Sequence, residues 1–169
     1  MDHILVIGFM GSGKTRVGKR LSQDFNLPFI DVDKEISAKL RLTKKELYQR
    51  FGEPFYRALE TKAIKDVLES KQKTIVSVGA GLPVQEQNFP YIQQFDTVIY
   101  LKGESFQVLM KRIEAGGSNE SPERLRKLYD QRTPFYEKFA TLTVVTGDRA
   151  FEELVKEVEE KLEKSEKNS

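Results

Sequence analysis

The chain has 169 residues, 28 of them basic and 26 acidic, for a net charge of +2. Apolar residues make up 38% and charged residues 32%, the balance of a single soluble domain large enough for a proper core. The near-zero net charge argues against a nucleic-acid partner, and the lack of cysteine, with His3 the sole histidine, excludes disulfides, thiol catalysis and histidine-centred metal sites.

The first apolar run, Ile4-Leu5-Val6-Ile7, follows acidic Asp2 and ends at Gly8. It is too short for a signal-peptide core or a membrane span, so a cytoplasmic protein without membrane association is expected. Gly8-Phe9-Met10-Gly11-Ser12-Gly13-Lys14-Thr15 then fits the phosphate-loop pattern G-x-x-x-x-G-K-[ST]. Glycines let successive N–H groups turn inward around a phosphate, and the helix opening near Lys14 aims its unpaired N–H groups and positive dipole end at the same anion. Lys14 would reach the β- and γ-phosphates, and the Thr15 hydroxyl would hold magnesium. A buried-type strand before the loop and an amphipathic pattern after it supply the required context, so a nucleotide site is expected.

Further strands are expected at 28–32, 74–78, 97–101 and 141–146, after the first at 3–7. Helical patterns occupy 14–25, 34–39, 44–51, 54–70, 83–95, 105–115, 122–139 and 149–164. Strand and helix alternate throughout, which implies an α/β fold with a five-stranded parallel sheet and right-handed crossovers. Ligands in such sheets bind beyond the carboxyl ends of the strands. One domain over 1–164 is expected, with the helical stretch after the second strand capping the sheet and a mobile loop rich in Gly, Ser and Asn at 116–122. The tail 165–169 has no apolar residue and is expected to fray.

Four clusters fall at strand ends or in the segments that follow. In Asp31-Val32-Asp33, alternation would put both carboxylates on one side of the strand, one near magnesium and one on a substrate hydroxyl. Asp33 could equally be a helix N-cap. Arg57 lies three residues before Glu60 on a helix expected to start near Pro54; it is either a surface pair or a guanidinium aimed at a carboxylate. Val78-Gly79-Ala80-Gly81 would let backbone approach a ligand, although an ordinary glycine turn accounts for it as well. Arg132, in Arg132-Thr133-Pro134-Phe135-Tyr136, is either a second site cation or part of a solvated face, with Pro134 perturbing its helix.

Taken in order, GFMGSGKT, D-V-D, G-E-x-x-[FY]-R-x-x-E, the glycine turn after the third strand and R-x-P-x-Y make the chain resemble the shikimate kinases. The resemblance implies a P-loop three-layer sandwich with a substrate-binding helical segment at about 33–60 and a short lid at about 114–124. It implies ATP-dependent phosphorylation of the 3-hydroxyl of shikimate, with magnesium as cofactor, ATP and shikimate as small-molecule partners, and a monomeric state. Gly11, Ser12, Gly13, Lys14 and Thr15 would hold the phosphates, with Thr15 and Asp31 at the metal. Asp33 would bind the acceptor hydroxyl and take its proton, making Lys14, Asp33 and Arg57 the catalytic set. Arg57 and Arg132 would clamp the carboxylate, Gly79, Ala80 and Gly81 would line the substrate, and Arg112 would stack on adenine.

The chain departs from that family in two places. Ala80 replaces the middle glycine of a three-glycine turn, and the short lid lacks the family's R-P-L, whose arginine reaches the ATP phosphates. Arg124, or else Arg126, is the expected substitute. The alternatives are a related small-molecule kinase with another hydroxy-acid or polyol acceptor, and a non-catalytic nucleotide-binding paralogue.

Overall fold

A computed structural model describes residues 2–168. Five short strands form one parallel sheet in the order β2-β3-β1-β4-β5: β1 (Ile4–Ile7), β2 (Phe29–Asp31), β3 (Ile75–Ser77), β4 (Thr97–Gly103) and β5 (Leu142–Thr146). β1 lies at the centre, with Val6 paired to Ser77 on one side and Ile99 on the other. Its side chains divide two cores by alternation. Ile4 and Val6 pack with Val17 and Leu21 of α1 (Lys14–Phe25) and with Leu154 and Val158 of α8 (Phe151–Lys167). Leu5 and Ile7 face the other core, shared with α2 (Val32–Leu40), α3 (Lys44–Phe51), α4 (Glu53–Glu69), α5 (Phe89–Ile92), α6 (Phe106–Ala115) and α7 (Pro122–Phe139). Both faces are covered, and the central strand β1 is apolar throughout, as expected for a three-layer sandwich.

Three expectations about elements need correction. The helix expected over 83–95 is broken into two 3₁₀ turns, Leu82–Val84 and Glu86–Asn88, followed by the single turn of α5. Pro83 and Pro90 each lack an N–H, which prevents a continuous ladder. The buried Asn88 side chain ties the segment down instead, donating to Leu82 O at 2.9 Å and accepting from the Thr61 hydroxyl. At the other end of the chain, α8 runs on to Lys167, past the expected end at 164 and through most of the tail expected to fray. Glu166 on that extra turn pairs with Lys73 at 3.3 Å; Ser169 lies outside the described residues. Finally, Pro134 does not interrupt α7, which stays helical from Pro122 to Phe139. Among the described residues no helix is long and apolar enough to cross a membrane.

Candidate active site

The β1–α1 connection supplies the first wall of the site. Gly11 and Gly13 have φ of +79° and +90°, which an L side chain rarely adopts, so the tight turn depends on them. Helix α1 begins with no side-chain cap and no acid in its first turn, leaving its N–H groups and dipole for an anion. Lys14 curls back over the loop and donates to Gly8 O and Phe9 O, each at 3.0 Å. Burial lowers its pKa to about 8, against the pull of Asp33 and Asp31. A phosphate arriving in the loop would restore its charge.

At the end of β2 the chain turns straight into α2, so the two aspartates do not share a strand face as alternation suggested. Asp31 ends the strand and caps the helix, accepting from Lys34 N at 3.2 Å, while Asp33 sits in the first helical turn. The capping role considered for Asp33 therefore belongs to Asp31. Both still line one cavity of about 450 Å³ beyond the carboxyl ends of the strands. Asp31 Oδ2 accepts from the Thr15 hydroxyl at 2.8 Å. Asp33 Oδ1 accepts from the buried Tyr56 hydroxyl. Burial, with the hydrogen bond to Asp33, raises the Tyr56 pKa far above its ordinary value and keeps it a donor.

Helix α4 opens at Glu53, with Pro54 in its first turn, and carries Arg57 into the cavity wall at 6% exposure. The guanidinium donates to the fully buried Glu60 at 2.7 Å and to Glu53 at 3.1 Å. Arg57 is thus a held guanidinium and not a surface pair. Arg132 reaches the same cavity from α7, half-buried. It makes no hydrogen bond or ion pair among the described residues, and burial, with nearby Arg57 among the smaller causes, lowers its pKa. Gly79 and Gly81 complete this side. A Cβ on Gly79 would lie 2.8 Å from Asp33 Oδ2, and one on Gly81 would lie 2.6 Å from Arg57 Nη2. Ala80 between them is buried, with its carbonyl held by the Tyr136 hydroxyl at 2.6 Å, and its φ is not positive. A methyl is therefore tolerated at this middle place.

A family model described as shikimate kinase matches residues 10–163. The shikimate kinase of Dictyoglomus turgidum is 36% identical over 163 residues, covering 92% of this chain and 94% of that protein. The chain belongs to the shikimate kinase family. Among solved structures, shikimate kinase from Aquifex aeolicus superposes with a TM-score of 0.83 at 30% identity, covering 99% of both chains. Shikimate kinase from Acinetobacter baumannii, solved in complex with shikimate, gives 0.86 at 27% identity, covering 96% of this chain and 93% of that one.

Of the two candidate lid arginines in this shikimate kinase fold, only Arg124 lines the cavity. It is exposed and pairs with Glu120 at 3.3 Å, across the first turn of a helix capped by Ser121. Arg126 lies 5.0 Å from the Phe106 ring centroid and pairs with Asp130. Arg112 is tied to Gly11 O at 3.3 Å and Gly147 O at 2.7 Å, in a second cleft on the far side of the phosphate loop. Arg16, stacked 3.8 Å from the Phe151 ring centroid, and Arg149 share that cleft, and neither belongs to a recognisable motif. Sequence reasoning also missed Lys44 and Tyr48 in the main cavity. The Lys44-Lys45 doublet looks like a solvated face, and only the Thr43–Glu46 capping box signals that Lys44 opens a helix.

Magnesium fits the donors present. The Thr15 hydroxyl and Asp31 carboxylate are hard oxygen ligands placed together. Among the described residues no three acidic or histidine side chains converge to hold a metal unaided. That donor set suits an ion whose remaining ligands are nucleotide phosphates and water.

Proposed function

We propose that this chain transfers the γ-phosphoryl group of ATP to the 3-hydroxyl of shikimate, a step toward chorismate and the aromatic amino acids. The observation that carries the acceptor is Arg132. A half-buried guanidinium with no hydrogen-bond or ion-pair partner among the described residues, near a second one held in place by Glu60, is a receptor for a carboxylate.

The chemistry is mainly positioning and charge stabilisation. The loop N–H groups of Gly11, Ser12 and Gly13, with Lys14, cradle the phosphates, while Arg112 flanks the base. Magnesium, which Thr15 and Asp31 would hold, supplies charge neutralisation at the phosphate oxygens. Arg57 and Arg132 fix the acceptor carboxylate, and Gly79, Ala80 and Gly81 leave room for its ring. Asp33 orients the acceptor hydroxyl and takes its proton. Arg124 is the lid residue that meets the ATP phosphates.

A coupled assay of ADP formation tests this reading. Turnover is expected to require both shikimate and magnesium. Equal ATP hydrolysis with and without shikimate, or clear preference for another hydroxy acid, would contradict it.

A further inference from the structure

The acceptor side of the cavity holds a cation that no motif names. Lys44 is the first residue of α3, fixed there by reciprocal hydrogen bonds between Thr43 and Glu46. Its ammonium lies 5.1 Å from the Tyr56 ring centroid and 6.0 Å from that of Tyr48. It also stands 3.6 Å from Asp33 Oδ1, too far for a hydrogen bond. With its side chain 41% exposed, a pair of that length contributes little to stability. The ammonium is therefore held near Asp33 while its donors stay open.

Asp33 itself is asymmetric. Oδ1 is engaged by the Tyr56 hydroxyl and faces Lys44, whereas Oδ2 lies beside Gly79, where even a methyl group would crowd it. That leaves Oδ2 for the acceptor hydroxyl, with Lys44 on the Oδ1 side of the same carboxylate. The Lys44 charge is also felt at Lys14, so it lies within electrostatic reach of the phosphate loop.

We propose that Lys44 is a further catalytic residue, whose ammonium meets the phosphoryl group as it arrives on the acceptor oxygen and holds it in the product. This rests on the reading of Asp33 as the residue at the acceptor hydroxyl. In the step concerned, the acceptor oxygen bonds to the γ-phosphorus while the bond from phosphorus to the β–γ bridging oxygen breaks. The bridging oxygen leaves on ADP with the electron pair, and the hydroxyl proton passes to Asp33 Oδ2. A neutral hydroxyl thereby becomes a phosphate dianion. A cation matched to charge that develops only during transfer raises turnover and product affinity without raising substrate affinity.

Lys44→Met keeps the stem and removes the charge, and Lys44→Arg restores it. Calorimetric binding of shikimate and of shikimate 3-phosphate to each variant, with kcat alongside, separates the roles. Lys44→Met is expected to weaken product binding about tenfold, the loss of one charge-assisted contact. Shikimate binding should stay within about twofold and the melting temperature should not move; Lys44→Arg should recover most of the product affinity. An unchanged ratio of product to shikimate affinity in Lys44→Met overturns the proposal, whatever happens to kcat. Asp33→Asn, measured in parallel, tests the underlying reading separately. Positioned acid–base groups contribute about 10²–10⁴-fold, so near-normal kcat there would remove Asp33 from the acceptor hydroxyl.

Discussion

The acceptor side and the lid side of the cavity are built by different means. On the acceptor side, Arg57 is 6% exposed and Glu60 0%, and the buried Tyr56 holds Asp33 by its hydroxyl. On the lid side, residues 116–121 bury no side chain, and the Arg124 side chain is 66% exposed, with one ion pair among the described residues, to Glu120. Packing and buried charge set the first region before any ligand arrives. The second has few interactions to hold one geometry. On the function proposed above, acceptor recognition is preorganised, while enclosure of the nucleotide is left to be completed on binding.

The sharpest way to break this contrast is Arg57→Met. It leaves Glu60, whose Oε2 already lacks a hydrogen-bond partner among the described residues, as an uncompensated buried acid. Removing one member of a buried pair typically costs about 3–5 kcal/mol, so denaturant unfolding should show a loss of that order. Replacing Glu60 by Met as well should recover much of it. A single variant as stable as the parent would mean that the acceptor side is not held by this pair.

Arg124→Ala probes the opposite wall. Global stability and shikimate affinity should be unchanged, because the side chain packs against little. Turnover should fall about 10- to 100-fold, as for one lost hydrogen bond to a charged group. A drop in melting temperature comparable with that of Arg57→Met would erase the distinction between the two sides.

A smaller effect comes from Lys14. With its pKa lowered to about 8 by burial, it loses its proton in the free enzyme as pH rises through that value. Bound phosphates favour the charged form and raise the pKa, so ATP binding above pH 8 should take up protons. ATP affinity should fall with rising pH by at most about tenfold per unit. Calorimetry in buffers of different ionisation enthalpy measures the uptake directly, and no uptake at pH 9 would show that Lys14 stays charged without nucleotide.

How much of this was legible in the sequence depended on whether the signal was local. The phosphate loop and the parallel sheet could be read from spacing, because glycine turns, apolar runs and helix starts are encoded by neighbouring residues, whereas spacing left Arg57 as either a surface pair or a site cation. The break at 83–95 was not, since apolar spacing there looks helical and Asn88 bonds to Thr61 from a different helix. Lys44 and Tyr56 were hidden for the same reason: their meeting with Asp33 joins residues on three helices. By spacing alone Arg132 was either a second site cation or part of a solvated face, and only the fold shows that it lines the cavity with no hydrogen-bond or ion-pair partner among the described residues. The choice between Arg124 and Arg126 turned on which face of α7 meets Phe106, again a tertiary matter.

The claim that the acceptor side is complete before nucleotide binds can be tested by titrating shikimate into the nucleotide-free enzyme and its Arg132→Met variant. The parent should bind shikimate without ATP. The variant should bind at least about tenfold more weakly, as expected for a lost charge-assisted contact, with an unchanged melting temperature. Shikimate binding that appears only once nucleotide is present, or that survives undiminished without Arg132, would contradict a preformed carboxylate receptor.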